Sequence, residues 1–398
     1  MKKNIGYLSG APRVTTRPTG ESGGARAHVL GVTNAYQHHG WQIKPFIFGD
    51  QVDFEGKSSS TLKDVLLSNA VGRVVADLAR IGLSKKNSLN AFKQIGTDVD
   101  YVYERFAVFQ ALGKPFKAAG VPWIIETQGL FYHEARFDRK SISLARLAKK
   151  MEIATYHDCD IIIAVSDVLK NLLVSQTGVN PNKVIVVPNG VDTTKFAPSK
   201  AMQQQPNPSA IPVIGFVGGL LRWQGVDFLL KAIALAKKSG STYKAIIVGD
   251  GDERTALTNL AKELKIDDIV TFTGRVSGDS VPSYIEKFDL CFSGQLPSAI
   301  GGMYHSPLKI YEYMAMGKPV LASNFADARS VITGKGTGFL FEAGDLDSLT
   351  SALIECHSKR HEFAKMGHMA REEIVRSHSW NARVSDMISE IDSILVRN

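Results

Sequence analysis

Cysteine is scarce in this sequence: Cys159, Cys291 and Cys356 are the only three among 398 residues. They are odd in number, far apart and without metal-ligand spacing, so they offer neither a disulfide framework nor a zinc site. They read as buried free thiols of a reducing compartment. Long apolar runs are missing too. None reaches the roughly 18–20 residues that a membrane span needs. The start, "MKKNIGYLSG", has too short an apolar stretch for a signal peptide and reads as a first strand. The expectation is a cytoplasmic protein. No G-x-G-x-x-G follows the first strand, which argues against an NAD-dependent dehydrogenase and leaves Asp50, at the end of the second strand, a coincidence. Basic residues are not interleaved with aromatics as in a nucleic-acid recognition module, so no nucleic-acid partner is expected.

Charge is present but unevenly spread. Residues 1–200 hold 26 Lys and Arg against 17 Asp and Glu, whereas the other half is close to neutral. The segment "RFDRKSISLARLAKK" (136–150) carries six bases and one acid. Phe137, Leu144, Ala148 and Met151 would share one face of a helix spanning 136–157. Two readings stay open: a solvated helix packed on a sheet, or electrostatic docking on an anionic membrane, peripheral at its inner face.

With 44% apolar residues, the chain is long enough for two cores. Short β-branched runs alternate with helical stretches twice over. In the first half these include "KNIGYLS", "GARAHVLGVTNAYQHHG", "VDYVYERF", "VPWIIETQG" and "CDIIIAVS". The alternation restarts at "PVIGFVGGL", after a polar, proline-bearing stretch at 199–210. Such alternation predicts α/β architecture, with two doubly wound parallel-sheet domains facing a cleft. The expected domains are 1–198 and 199–378, followed by an amphipathic C-terminal helix at 379–398.

The chemistry points to "SPLKIYEYMAMGKPVLAS" (306–323). Ser306 is expected to cap a helix and Pro307 to open its first turn. Lys309 and Glu312, three apart, would then share one face near the N-terminus. The helix dipole, its free first-turn amides and Lys309 favour a phosphate, and Glu312 suits a pair of ribose hydroxyls. The plain alternative is a surface ion pair. Glycine turns at Gly218 and Gly219 and at Gly249 and Gly251 follow strands, where backbone can approach a ligand. Gly20, Gly23 and Gly24 form a looser glycine loop before the first helix.

In order from end to end, these motifs resemble family 4 (group 1) glycosyltransferases with the GT-B fold. "ESGGAR", "YVYERF", "WIIETQG", "VVPNGVDTTKFAP", "FVGGLLRWQGVDFLLKA", "IVGDGDERTAL", "FTGRV", the "SPLKIYE" form of the nucleotide-sugar motif and "SHSWNARVSDMI" all carry the likeness, and the last resembles a C-terminal helix that crosses back to the first domain, which would join 379–398 to 1–198. The resemblance implies a transferase that moves a sugar from a nucleoside-diphosphate sugar to a glycan or lipid-linked acceptor, in surface polysaccharide or glycolipid biosynthesis. It implies retention of anomeric configuration and no metal or other cofactor. Glu312 would hold the ribose, and Lys309 with the amides at 306–308 (Ser306, Pro307, Leu308) the diphosphate. Gly23 and Gly24 would close over the diphosphate, and Arg275 and Val276 would lie near the base.

Three positions depart from the family pattern. Tyr304 stands where an acid is frequent, eight residues before Glu312. Gly219 and Gln224 stand where Arg and Lys serve the diphosphate. Arg222, two residues from Gln224, is the candidate to supply the lost charge, so Glu312, Lys309 and Arg222 form the expected catalytic set. On the acceptor side the stretch "ETQGLFYHE" offers Glu126, Gln128 and His133. The competing reading, motivated by Gly219 and Gln224, is a catalytically silent nucleotide-sugar binder or partner subunit.

Overall fold

Short apolar strands buried on both faces need helices on both sides, and that requirement organises the chain twice. The computed structural model describes residues 3–17, 23–52, 70–138, 141–199, 211–297 and 303–397. They fall into two units: 1–189 with 304–306 and 380–398, and 190–303 with 307–379. The polar stretch 200–210 and Gly20 lie outside the described residues.

The first unit holds six parallel strands in the order β2-β1-β3-β4-β5-β6. They are β1 (Asn4–Ser9), β2 (Gln42–Ile47), β3 (Tyr101–Arg105), β4 (Trp123–Thr127), β5 (Ile161–Ala164) and β6 (Val184–Val186). The longer intervening helices among the described residues are α1 (Gly23–His38), α2 (Ala70–Ile95), α3 (Lys114–Ala118), α4 (Ala145–Asp158) and α5 (Asp167–Thr177). Every residue of β4 is buried, as a central parallel strand requires. Ser166 caps α5 by accepting from the Leu169 N–H, and Gly178 closes it at φ +70°. The terminal helix α13 (Trp380–Arg397) belongs to this unit and packs on α1. Gly31 permits that contact, because a Cβ there would sit 2.1 Å from the Trp380 ring nitrogen.

The second unit repeats the plan with the strand order β12-β11-β10-β7-β8-β9. Its strands are β7 (Val213–Val217), β8 (Lys244–Val248), β9 (Val270–Gly274), β10 (Leu290–Ser293), β11 (Val320–Ser323) and β12 (Gly338–Phe341). Its helices are α6 (Val226–Lys238), α7 (Arg254–Glu263), α8 (Val281–Ile285), α9 (Leu308–Ala315), α10 (Ala326–Ile332), α11 (Leu346–Ser358) and α12 (Phe363–Ser377). Alternate strand residues serve opposite faces. Ile214, Phe216, Ile247 and Phe292 join Leu229, Ile233 and Leu353 in one core. Val248, Cys291, Val320 and Ala322 join Ile310, Met314 and Ile374 in the other. The chain leaves β7 to one side and returns to β10 on the other, so the switch point lies between them. Ligands of open α/β sheets bind at the carboxyl ends of strands at such a point.

Two expected elements differ. The helix expected over 136–157 is broken: a π-type turn at Glu134–Asp138 ends it, and α4 starts only at Ala145. The buried Asp77 carboxylate of α2 accepts from the backbone N–H groups of Ser143 (2.8 Å) and Leu144 (2.9 Å), fixing an interruption there. The side chain of Phe137 lies outside the described residues. Strand β2 stops at Ile47, so Asp50 does not end it but folds back onto the loop after β1. It accepts from Thr15 Oγ1 (2.5 Å), the Thr16 N–H (2.7 Å) and Thr16 Oγ1 (2.8 Å), a structural clasp rather than a ribose site.

Candidate functional site

In the second unit the loops after β7, β8 and β9 are stitched through backbone. Gly218 N–H donates to the Val248 carbonyl (3.0 Å), Leu220 N–H to Asp250 (3.0 Å) and Gly249 N–H to Gly274 (3.0 Å). Gly249 has φ +132°, and a Cβ there would stand 1.9 Å from the Gly218 carbonyl oxygen. A Cβ at Gly251 would meet the Leu220 oxygen at 2.5 Å. Loop-against-loop packing is therefore one reason for these two glycines. Gly219 is different: its nearest neighbours lie 3.9–4.0 Å away, so the position is open.

Helix α9 follows β10 at the switch point. It begins at Leu308, with Pro307 as an extended N-cap residue and no side-chain cap. The expected Ser306 cap is not formed. The Asn189 N–H donates to Ser306 Oγ (3.1 Å) and Asn189 Nδ2 to the Ser306 carbonyl (2.7 Å), so Ser306 is tied to the first unit. The first-turn amides of Leu308 and Lys309 still precede the intrahelical ladder.

Lys309 does not extend toward Glu312. Its Nζ donates to Gln224 Oε1 at 2.5 Å and lies 4.1 Å from the centre of the Phe216 ring. Burial pulls this ammonium down to about 7, with Glu312 opposing the shift. One turn on, burial pushes the Glu312 carboxyl up to about 7, against the pull of Lys309 and Lys195. Both side chains are half-buried. Both groups are shifted toward their neutral forms, because burial outweighs the attraction between them. Arg222 shares a short 3-10 turn with Gln224 but is exposed, and no described contact ties it to Lys309. Arg275 is exposed just after β9, and Val276 packs against the second core of this unit.

In the first unit Gly23 and Gly24 open α1 and are exposed. A Cβ on Gly23 would meet nothing within 4 Å, so no described packing demands glycine there. Farther along α1, His28 Nε2 lies 2.6 Å from Glu126 Oε1, with both side chains almost fully buried. Tyr103 donates to Glu126 Oε2 (2.5 Å), and Gln128 Nε2 donates to Glu126 Oε1. Burial raises the Glu126 carboxyl, but His28, Arg105 and Tyr103 together hold it below the usual carboxylate range. Asn189 Nδ2 reaches Gln128 Oε1 at 3.4 Å, and the Trp380 ring meets His28 edge-on at 5.0 Å. Glu126 is thus the centre of a buried network, with half-buried Gln128 at its margin. His133 lies apart, half-buried in the turn after β4.

Tyr304 is buried in this unit: its carbonyl accepts from Ser166 Oγ (2.7 Å), and its hydroxyl donates to Glu134 Oε1 (3.1 Å). A carboxylate is therefore present beside the departing position, contributed by Glu134. Sequence reasoning passed over His28, Asn189 and Glu134. His28 carried a signal, as an imidazole on the apolar side of α1 four residues after Gly24. Asn189 and Glu134 carried none, since their partners are over a hundred residues away.

These sites belong to a recognised class. The chain is a member of glycosyltransferase family 4, group 1: a Glycosyltransferase Family 4 model matches residues 22–195, and a group 1 glycosyl transferase model matches 211–359. A UDP-Gal:α-D-GlcNAc-diphosphoundecaprenol α-1,3-galactosyltransferase of Escherichia coli is 27% identical over 75% of this chain and 78% of its own. A GDP-mannose-dependent α-(1-6)-phosphatidylinositol monomannoside mannosyltransferase of Mycobacterium tuberculosis is 27% identical over 52% of this chain and 56% of its own. The chain spans about half the length of several curated relatives it matches, including an uncharacterized Haemophilus influenzae glycosyltransferase at 53%. Among solved structures, Anabaena HepE in complex with UDP superposes with a TM-score of 0.68 at 18% identity, covering 99% of this chain and 100% of that one. Sucrose-phosphate synthase from Thermosynechococcus elongatus superposes at 0.72 and 16%, covering all of both chains. The fold is GT-B, with two Rossmann-like domains.

Proposed function

We propose that this chain transfers a sugar from a nucleoside-diphosphate sugar to a glycan or lipid-linked acceptor, with retention of configuration. The observation that carries the reading is Lys309 at the head of α9, at the switch point of the second sheet, with Glu312 one turn on. Lys309 and the first-turn amides meet the diphosphate, and Glu312 accepts from the ribose hydroxyls. The C1–O bond to the diphosphate breaks and the acceptor oxygen bonds to C1. The acceptor proton passes to the leaving phosphate oxygen on the same face. Charge on the leaving group is met by Lys309 and the amides, so the reading calls on no metal or other cofactor. Relatives named for UDP-galactose and GDP-mannose donors, and for lipid diphosphate or phosphatidylinositol acceptors, support surface glycan or glycolipid synthesis. Cys159, Cys291 and Cys356 are buried and unpaired, in keeping with a reducing cytoplasm. Among the described residues no helix is long and apolar enough to cross a membrane.

The experiment is incubation with UDP-, GDP- and ADP-sugars, following nucleoside-diphosphate release and the anomeric signal of any product. Release with one donor, abolished in Glu312→Ala, supports the reading. Nucleotide binding without release from any donor, with or without lipid-linked acceptors, favours the silent binder that Gly219 and Gln224 motivate.

A further inference from the structure

We propose that Arg105, at the switch point of the first sheet, binds an oxyanion carried by the sugar acceptor, a phosphate or a carboxylate. The chain leaves β1 toward β2 on one side and toward β3 on the other, so the switch point of this unit lies between β1 and β3. Ser9 ends β1 there, and Arg105 ends β3. Tyr7 stands opposite Tyr103, and Leu8 opposite Glu104. Side chains alternate between the faces of a strand, so Arg105 shares a face with Tyr7, Ser9 and Tyr103. The Tyr7 and Tyr103 rings stack on that face with centres 5.6 Å apart.

Arg105 has no counter-charge in contact with it. The side chain is half-buried, and its Nε is buried without an acceptor. Among the described residues the guanidinium makes no hydrogen bond or ion pair. Glu126 stands opposite it on β4, yet the Glu126 oxygens are taken by His28, Gln128 and Tyr103. Three more buried polar atoms around the end of β1 lack partners: Tyr7 Oη, Ser9 Oγ and Gln110 Oε1. Gln110 lies directly against Gly10, where a Cβ would stand 2.1 Å from its Oε1. Unsatisfied polar atoms therefore gather where an open α/β sheet takes its ligand.

Charge selects the occupant. A guanidinium does not shed its proton, so its unpaired burial is a cost that a bound negative charge offsets. Phosphate and carboxylate match its planar fork in a bidentate pair. A neutral sugar offers only hydroxyls and leaves the charge uncompensated. Arg13 and Arg17 are exposed on the loop that follows β1, which favours the approach of an anion. That the anion belongs to the acceptor rests on the transferase reading. The anion site itself does not, because Lys309 and Glu312 belong to the other unit.

The test is the melting temperature of the full chain against inorganic phosphate, glucuronate and glucose, with and without Arg105→Met. Both proteins carry Lys309→Met, so that phosphate at the head of α9 does not contribute. The expected result is a rise with phosphate or glucuronate that Arg105→Met abolishes, and none with glucose. The larger of the two rises tells a phosphorylated acceptor from an acidic sugar. Arg105→Lys keeps the charge but not the fork, and should bind the anion about tenfold more weakly. Without ligand, Arg105→Met should melt no lower than its parent, because it removes an unpaired charge. With Lys309 restored, Arg105→Met should bind nucleoside diphosphate as the wild type does, and its KM should rise about tenfold for an acidic acceptor but not for the donor. Absence of nucleotide binding in both would fail the transferase reading and leave the anion site standing. No rise with either anion, equal rises with and without Arg105, or an equal rise with glucose overturns the proposal. So does an unchanged KM for acidic acceptors, or an Arg105→Met protein that melts well below its parent, which gives Arg105 a structural role.

Discussion

Lys309 Nζ lies 2.5 Å from the side-chain carbonyl of Gln224, a residue 85 positions earlier in the chain. The cation at the head of α9 is thus held by a neutral amide where the family pattern supplies a second cation. The arrangement keeps Lys309 beside Phe216 and near Gly218, where a Cβ would stand 3.1 Å from Nζ.

Gln224→Lys should set two ammonium groups against each other in the ligand-free protein. The expected cost is about 1 kcal/mol, read as a lower melting temperature. Added nucleoside diphosphate should stabilise this variant more than the wild type, because the anion offsets the repulsion. Equal ligand shifts in the two proteins would contradict the assignment of Gln224 to the diphosphate.

The Lys309 and Glu312 shifts give stability opposite slopes on the two sides of neutrality. Between about 4.5 and 7 the folded Glu312 keeps a proton that the unfolded chain has released, so stability falls as pH rises. Between about 7 and 10.5 the folded Lys309 has released a proton that the unfolded chain keeps, so stability climbs. Each contribution is of order 1–2 kcal/mol, because solvent reaches both half-buried groups. Urea denaturation across pH should show Glu312→Gln losing the first slope and Lys309→Met the second.

Two glycines in neighbouring loops should respond differently to alanine. Gly249→Ala drives a methyl into the Gly218 carbonyl at φ +132°, and the loops after β7 and β8 must separate. The expected loss is about 2–4 kcal/mol of stability together with nucleotide affinity. Gly219→Ala enters open space and should stay within about 0.5 kcal/mol of wild type. Thermal denaturation of the pair, with and without nucleotide, is the check.

Glu104 is fully buried and accepts from the N–H groups of Leu112 (3.0 Å) and Gly113 (3.0 Å) and from Trp123 Nε1 (2.9 Å). Burial pushes its carboxyl up to about 7, and the three donors restrain it. Glu104→Gln turns an amide NH2 toward at least one of those donors. It should cost about 2–3 kcal/mol in chemical denaturation. A neutral result would mean that the donors find other partners.

Local pattern carried the sheets and failed where distant residues intervene. The strands at 123–127 and 213–217 were legible because fully buried strands read as unbroken apolar runs. The apolar spacing at Phe363, Met366, Ala370 and Ile374 marked α12 equally well, yet the sequence reading did not single it out. The break before α4 was not legible, because Asp77 takes the Ser143 and Leu144 amides from more than sixty residues away. Ser306 looked like a helix cap for the same reason, until Asn189 claimed its hydroxyl. At the candidate site, Lys309 and Glu312 were visible from helical spacing. The Gln224 contact and the His28–Glu126 pair depend on tertiary approach.

The central claim is a nucleoside-diphosphate site on α9, and thermal stability against UDP, GDP, ADP, CMP and NAD tests it most directly, using wild type and Glu312→Ala. A ligand bound only to the native state adds about 2.7 kcal/mol at a hundredfold excess over its dissociation constant. The account predicts a shift with one nucleoside diphosphate, lost in a Glu312→Ala variant that melts no lower than wild type without ligand. A shift of equal size in the variant, or a shift with NAD alone, would contradict it.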